Sequence, residues 1–274
     1  SNQLDAGADA IDLSLSSRYG NSQIDATIAE NTCVGGVGVS TTDLSGSRYG
    51  AVVRNNIIES SEVGVSFSVS DAAYESNAFS VSDNQIVSVE DGIQLSVSGA
   101  DTDLSFDALR NDILTGGDAI DVNAAINGTF NGEIVGNTAF GSSMDNGILI
   151  AVDQTADSGT AVRVANNVVR GGIVGSGILV DSPASANEVV SNTVVTEQSA
   201  VNGIAADAAA VVRNNVIQGV FTTPIVDGLL DFNLLPAGTT FSVTNLAGDA
   251  VFESLPLFTD WALSPDGAYV LVPD

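Results

Sequence analysis

Aliphatic and polar residues alternate in short runs along most of the chain. The alternation is clear at Val164-x-Asn166-x-Val168 and at Ile178-x-Val180, where every second residue is apolar or marks a turn. A period of two is typical of β-strands, because successive side chains on a strand point to opposite faces of the sheet. Gly, Asn, Asp and Ser interrupt the runs, and no stretch of about ten residues has the 3.6-residue period of a helix. The pattern predicts an all-β protein built from short strands.

One five-residue pattern recurs along the chain at intervals of 22 to 29 residues, from ENTCV at 30–34 to RNNVI at 213–217. A repeat of this length is typical of one coil of a solenoid. Asparagine tolerates the left-handed backbone of tight turns, and stacked amide side chains can hydrogen-bond to one another along the stack. The sequence therefore predicts a structural ladder of asparagines, one per coil, at Asn31, Asn55, Asn84, Asn111, Asn137, Asn166, Asn192 and Asn214.

Two apolar positions accompany each copy of the pattern. One is a small residue followed by an aliphatic one, as in Gly92-Ile93 and Gly147-Ile148. The other lies two residues after each asparagine and predicts a column of inward side chains along the stack, in which Cys33 is a small core residue and not a reactive thiol. The predicted column is Cys33, Ile57, Ile86, Ile113, Ala139, Val168, Val194 and Val216.

The combination V-x-N-x-[IV] followed by G-I-x-[LV] resembles the repeat of right-handed, pectate-lyase-like parallel β-helix proteins, over roughly residues 7–230. The resemblance implies a right-handed parallel β-helix of about eight to nine coils. The run DFNLL at 231–235, followed by LPLFTD and LSPDGAYVL, is similar to the closing segment of many secreted β-helix repeat proteins. Many unrelated functions share this fold, so the resemblance implies no single activity.

The composition changes near the C-terminus, where five of the six prolines and the only tryptophan lie at or beyond residue 224. An open solenoid end exposes strand edges and core side chains, so a terminal cap is expected there. We predict coils over residues 1–222 and a final coil with a cap over residues 223–274. The predicted core of the cap consists of Phe232, Phe241, Phe252, Phe258 and Trp261.

The chain is strongly acidic, with 34 Asp and Glu against 7 basic residues and a formal net charge of -27. All seven basic residues are arginines, and the sequence contains neither Lys nor His. Nucleic acids and anionic membrane surfaces are excluded as expected partners, because both require a basic face. Catalysis by His or Lys is excluded as well, and no apolar run has the length of a membrane span. The chain opens Ser-Asn-Gln without an initiator Met, so we expect a processed or trimmed piece of a longer, secreted or cell-surface protein.

The tetrapeptide Ser-Arg-Tyr-Gly occurs twice, at 17–20 and 47–50, which would place the two copies on neighbouring coils. Aromatic rings stack on sugars, and guanidinium groups bind acidic sugars through charge-assisted hydrogen bonds. Arg18, Tyr19, Arg48 and Tyr49 are therefore candidates for carbohydrate binding. The alternative is a single turn type that is used twice.

The resemblance to lyases implies an Arg or Lys base beside calcium, but the arginines mostly precede the repeated asparagine, as Arg54, Arg110 and Arg213 do. That repetition favours a structural or solvated role. The β-helix hydrolases that the repeat also resembles use pairs of Asp side chains as general acid and base. Candidate pairs are Asp9 with Asp12, Asp101 with Asp103, and Asp118 with Asp121, yet 34 acidic residues make such pairs common. No catalytic residue is assigned.

The segment Gly116–Asp121 partly resembles the calcium-binding nonapeptide of secreted β-rolls, although it occurs once and lacks tandem copies. Asp118 and Asp121 are therefore candidate ligands for Ca²⁺, which prefers several oxygen ligands. No cofactor is required by any other feature of the sequence.

Two functions remain open at this point. The first is a non-enzymatic extracellular module, part of an adhesin, surface layer, filament or matrix, whose partners are polysaccharides or copies of itself. The alternative is a polysaccharide-active or carbohydrate-binding domain of the lyase or hydrolase type. An enzyme is the less favoured of the two, because the regular repeat contains no convergent catalytic constellation.

The net charge predicts a salt-dependent stability. Repulsion among the acidic side chains should be screened as NaCl rises from about 0.1 M to about 1 M, because the Debye length falls from ~10 Å to ~3 Å. We expect the melting temperature, followed by circular dichroism, to rise by about 5 °C, and to rise also with millimolar CaCl₂. An unchanged melting temperature in both titrations would show that charge repulsion is unimportant.

Overall fold

The structure is a computed structural model. It describes residues 3–17, 23–43, 48–70, 73–154, 160–182, 186–231, 233, 235, 261–263 and 269–271. Arg18, Tyr19 and the predicted cap residues Phe232, Phe241, Phe252 and Phe258 lie outside the described residues, as does the side chain of Trp261.

The described residues form a right-handed parallel β-helix of about seven turns and contain no helix, which confirms the predicted fold class with slightly fewer coils. Two C-terminal strands pair antiparallel with each other. The predicted boundary at residue 222 stays a prediction.

In chain order, the strands are Gln3–Ser17, Gln23–Ala29, Thr32–Asp43, Arg48–Arg54, Ile57–Ser60, Val65–Ser70, Ala73–Ser82, Gln85–Ser88, Ile93–Leu109, Asp112–Leu114, Ile120–Ile126, Phe130–Val135, Thr138–Met144, Ile148–Gln154, Ala161–Ala165, Val168–Ile173, Ser176–Asp181, Glu188–Val190, Thr193–Ala206, Val211–Arg213, Val216–Val226, Leu229–Asp231, Trp261–Leu263 and Tyr269–Leu271.

Each turn of the helix has three sides. Face 1 holds the strand before the repeated asparagine, face 2 the short strand after it, and face 3 the strand that begins at the aliphatic anchor. In one turn these are residues 104–109, 112–114 and 120–126. Strands of successive turns pair in parallel and in register, as Ile86 pairs with Ile113 and Ile93 with Ile120. The repeat length of the sequence is therefore the length of one three-sided turn.

The core fills the space between the three faces. On face 2 the inward column is Cys33, Ile58, Ile86, Ile113, Ala139, Val169, Val194 and Ile217, each at most 2% exposed. The predictions of Ile57, Val168 and Val216 are wrong by one residue, because in these turns the second of two consecutive asparagines occupies the corner and the inward residue lies two positions after it. Cys33 is buried as expected, and burial raises the pKa of its thiol.

Aromatic side chains widen the core in the first half of the described stack. Phe67 and Phe79 stack with their ring centroids 4.8 Å apart, and Phe106 meets Phe67 edge-on at 6.3 Å. Tyr49 lies in the same core and is 1% exposed. The large rings come from faces 1 and 3, so they fill the centre of the helix between the aliphatic columns.

The small residue before each aliphatic anchor is required by close packing. A Cβ at Gly92 would lie 2.6 Å from the carbonyl oxygen of Ala119 in the next turn and would also contact Ile113. Such a contact forces a neighbour to move, so glycine is preferred there, although one turn accommodates Ala119 at the equivalent position.

Candidate functional site

The first corner of each turn, between faces 1 and 2, carries an asparagine, which is buried in every described turn except the first. Its Oδ1 accepts hydrogen bonds from the backbone N–H and the Nδ2 of the asparagine one turn earlier, at 2.9–3.2 Å. From the second turn on, its Nδ2 also donates to a face 1 carbonyl of the preceding turn at 2.7–3.0 Å. We call this set the asparagine ladder: Asn31, Asn56, Asn84, Asn111, Asn137, Asn167, Asn192, Asn215 and Asn233.

Three of the predicted ladder residues are not in the ladder. Asn55, Asn166 and Asn214 are exposed and have φ of 55–56°, and each precedes the true ladder residue by one position. The turn requires one left-handed residue and then one buried amide, and asparagine serves both needs. Elsewhere the left-handed position is occupied by residues such as Asp83, Arg110 and Gly136. An aliphatic residue lies two positions after each asparagine of a pair, so only its burial in the structure shows which asparagine belongs to the ladder.

Sequence reasoning also missed the last member, Asn233. Its Oδ1 accepts from the backbone and side chain of Asn215, and its Nδ2 donates to the carbonyl of Val212. The resemblance of DFNLL at 231–235 to a closing segment does not indicate this role. Asn233 extends the ladder by one member beyond Asn215.

A second polar ladder lies at the corner between faces 2 and 3, directly before the aliphatic anchor. The carboxylate of Asp91 accepts the backbone N–H of Asp118 at 2.8 Å, and that of Asp118 accepts the N–H of Asn146 at 2.6 Å. Asn146 Oδ1 in turn accepts the N–H of Ser176 at 2.9 Å, and Ser176 Oγ accepts from Asn202 Nδ2 at 3.1 Å. The side-chain oxygen here serves the following turn, whereas in the asparagine ladder it serves the preceding turn. We call this set the acidic ladder.

The sequence does contain a signal for the acidic ladder. A hydrogen-bonding residue stands immediately before the small residue of several anchors, as Asp91 does before Gly92-Ile93 and Asp118 before Ala119-Ile120. Because the residue type varies among Asp, Asn and Ser, no single letter repeats. The common property is a short side chain with an oxygen that can accept a hydrogen bond.

The structure brings Asp118 and Asp121 together in a buried acidic cluster with Asp91. Asp118 and Asp121 are 8% and 7% exposed, although both belong to the outer layer of the stack. Burial, together with the charges of Asp91 and Asp118, raises the pKa of Asp121 to about 6. Burial also raises the pKa of Asp118, reinforced by the charges of Asp91 and Asp145 and opposed by hydrogen bonds from Asn146.

These carboxylates are already engaged by protein donors. Asp121 accepts from Asn123 Nδ2 at 2.6 Å, Asp91 accepts from Gln94 Nε2 at 3.0 Å, and Asp118 accepts from Asn146. Among the residues that the structure describes, no group of three or more acidic or other ligating side chains is arranged to hold a metal ion. Calcium binding by Asp118 and Asp121 stays a prediction.

The Arg-Tyr pair at 48–49 does not form the predicted outward surface. Arg48 is exposed, but Tyr49 points into the core, because neighbouring residues on a strand face opposite sides. A buried ring cannot stack on a sugar, so Tyr49 is corrected to a core residue. The other predicted pair, Arg18 and Tyr19, lies outside the described residues.

Two of the remaining candidate residues, Arg110 and Asp103, have partners on the neighbouring turn. Arg110 forms two hydrogen bonds of 2.8 Å with Asp83 on the neighbouring turn, and this guanidinium lowers the pKa of the Asp83 carboxyl. Asp103 accepts both the N–H and the hydroxyl of Thr129, which lowers its pKa. Both interactions connect successive turns at exposed positions.

Comparison with known proteins adds no relative. No protein-family model matches the sequence, and no curated protein or solved structure matches it. The β-helix is therefore established by the geometry of the chain, while the pectate-lyase-like resemblance remains a resemblance of motif. In the part of the chain that the structure describes, no helix has the length and apolar character of a membrane-spanning segment.

The asparagine pair at 166–167 offers a test of the ladder with an internal control. Asn167→Ala would leave the backbone N–H and Nδ2 of Asn137 without their acceptor inside the protein, at a cost of about 3 kcal/mol in the free energy of unfolding. Asn166→Gly removes the neighbouring amide but keeps the left-handed backbone, so it should change stability by less than ~0.5 kcal/mol. Urea unfolding followed by circular dichroism measures both; equal losses would contradict the assigned ladder.

The raised pKa of Asp121 predicts an acid-favoured stability. Its folded-state pKa of about 6 exceeds the ordinary value of 3.8, so the ionised form is disfavoured in the fold. The contribution of Asp121 to the free energy of unfolding is therefore complete below about pH 3.8. It is lost as the pH rises through about 6, and the loss is roughly 3 kcal/mol at most.

Asp121→Asn should therefore stabilise the protein more at pH 7.5 than at pH 5. The exposed Asp153→Asn is the matched control, because it removes the same charge from the same face. Unfolding curves of both variants and the wild type at the two pH values measure the difference. A gain from Asp121→Asn that is the same at both pH values, or a similar gain from the control, would refute the assignment.

Proposed function

We propose that the chain is a structural or adhesive module of a secreted or cell-surface protein, in which the β-helix is a stiff rod. The observation that carries the proposal is the pair of ladders. In the ladders, the buried polar side chains at two corners of the turn make contacts between successive turns. The apolar side chains of the core also pack between successive turns. Chemical groups that an enzyme would direct at a substrate are here used to hold the stack together.

The outward sides of faces 1 and 3 support the same proposal. Face 3 presents Ser66, Ser68, Gln94, Ser96 and Asn123 in neighbouring turns, which form a regular, hydrated and weakly differentiated surface. With a net charge of -27, such a surface stays soluble at high concentration and attracts cations. These are properties of a spacer or matrix component that works in salty or cation-rich surroundings.

The acidic cluster supports a second candidate, a carbohydrate-active domain. Two neighbouring carboxyls with raised pKa values are the arrangement by which glycoside hydrolases keep one acid protonated near neutral pH. The carboxyls of Asp118 and Asp121 are both buried and hydrogen-bonded. Asp118 bonds to Asn146 in the next turn, which favours a structural role, whereas Asp121 bonds to Asn123 on its own strand and is the residue to test.

A screen for polysaccharide binding and depolymerisation, with and without Ca²⁺, separates the two functions. The structural proposal predicts no release of reducing or unsaturated sugar ends from neutral or anionic polysaccharides, while binding on a glycan array is compatible with adhesion. Depolymerisation at ordinary turnover rates that is abolished in Asp121→Asn, but retained in Asp153→Asn, would replace the proposal by the hydrolase alternative.

A further inference from the structure

Face 2 presents large apolar side chains to solvent over several turns. Its outward positions include five that are 39–46% exposed, on five neighbouring turns. Isolated exposed apolar residues are ordinary, but Val87, Leu114 and Phe140 are in register on successive turns, and a contiguous apolar stripe of this kind is typical of an interaction surface. The five residues are Val34, Ile57, Val87, Leu114 and Phe140.

One outward column of face 2 has a charge order that complements itself. Reading along the stack, the residues in register are Glu59, Val87, Leu114, Phe140 and Arg170. An acid and a base stand at equal distances, two turns each, from the central Leu114. At about 4.8 Å per turn, the column spans ~19 Å. If the column is reversed and laid on itself, Glu59 meets Arg170 at both ends and apolar side chains meet apolar side chains between them.

We propose that face 2 is the contact surface between two copies of this chain, packed face to face with their stacks antiparallel. The two-fold axis runs parallel to the strands at the level of Leu114. Each Leu114 then packs against its copy, each Val87 against Phe140, and each Glu59 pairs with Arg170. An isologous interface of this kind closes as a dimer and leaves faces 1 and 3 in solvent.

The charge order of this column, with Glu59 at one end and Arg170 at the other, favours a second copy over other occupants of face 2. Arg170 is 58% exposed at its side chain and already lies 3.4 Å from Glu197, so a second carboxylate from a copy completes its surroundings. When the apolar residues of the two copies are in contact, Glu59 of the second copy lies opposite Arg170 and supplies that carboxylate. Because the strands of face 2 are only three to seven residues long in the middle turns, the interface is small, and weak, reversible association is expected.

The same axis brings two like charges together. Asp112 is exposed on the strand of Leu114, two residues before it, and it would face its own copy across the axis. Repulsion between the two carboxylates weakens the dimer, in addition to the repulsion between two chains of net charge -27. Association should therefore strengthen with NaCl, and it should strengthen in Asp112→Asn.

The decisive experiment uses two charge variants, alone and mixed. Glu59→Arg would place two arginines at each end of the interface, and Arg170→Glu would place two glutamates there. Each variant alone should dimerise about tenfold more weakly than the wild type in sedimentation velocity at about 0.3 M NaCl. An equimolar mixture should regain dimers of wild-type affinity, because every end then pairs an arginine with a glutamate. Two weak variants that stay weak when mixed would overturn the antiparallel geometry.

A second set of variants tests the apolar centre. Leu114→Glu should abolish dimers, whereas Ser68→Glu, an equal charge change at an exposed position of face 3, should leave the dissociation constant within about twofold of the wild type. Asp112→Asn should tighten the dimer. A wild-type chain that stays monomeric at about 1 mM, or a Leu114→Glu variant that dimerises as well as the wild type, would overturn the proposal.

The variant Leu114→Glu also distinguishes a contact between two copies from a contact of face 2 with another segment of the same chain. A wild type that is monomeric while Leu114→Glu lowers its melting temperature would assign face 2 to an intramolecular contact and overturn the dimer. The inference extends the structural role proposed above by naming a partner for the rod. It fails separately from that role, since the polysaccharide screen does not depend on the oligomeric state.

Discussion

The asparagine ladder is the interaction on which the stack depends most directly. A parallel β-helix has no covalent device that fixes the position of one turn over the next, and a sheet of similar aliphatic strands tolerates slippage. Each ladder asparagine links its own turn to the turn before it through Oδ1 and Nδ2, and to the turn after it through the same Nδ2. Because the amide is buried, a shift by one residue would leave several donors and acceptors unpaired, at ~1–3 kcal/mol each. The aliphatic columns follow from this register.

The acidic ladder repeats the arrangement at the next corner with the opposite direction of donation. In the asparagine ladder the side-chain oxygen accepts a hydrogen bond from the preceding turn. In the acidic ladder it accepts one from the following turn. The second corner uses carboxylates in the middle turns, where burial makes their charge costly. The raised pKa of Asp118 is thus a consequence of building the ladder from Asp where later turns use Asn or Ser. Asp121 lies beside the ladder, and its pKa is raised by its own burial and then by the charges of Asp91 and Asp118.

Much of the fold could be predicted from the sequence, because strand alternation and the repeated N-x-aliphatic pattern are local properties. The exact ladder could not be read where two asparagines are adjacent, since Asn55 and Asn56 both suit a tight turn and only the inward position of Ile58 distinguishes them. Strand alternation places Arg48 and Tyr49 on opposite faces of the sheet. The repeated tetrapeptide nevertheless favours the interpretation that both side chains lie on one outward surface. The burial of Asp121 depends on the neighbouring turns and has no local signal, so the acidic cluster required the three-dimensional structure.

The three corners of the turn differ in how much length they tolerate. The corner with the asparagine ladder has two residues between its strands in each described turn, whereas the corner with the acidic ladder has five between Leu114 and Ile120. The connection from face 3 to face 1 has three residues between Ile126 and Phe130 and six between Gln154 and Ala161. Its length therefore differs between turns, while the face 1 strands that follow it stay in register. Segments inserted in the connection from face 3 to face 1 leave the register of the stack intact. This connection is therefore the place where the rod can acquire new binding loops, by natural variation or by grafting, without a change of fold.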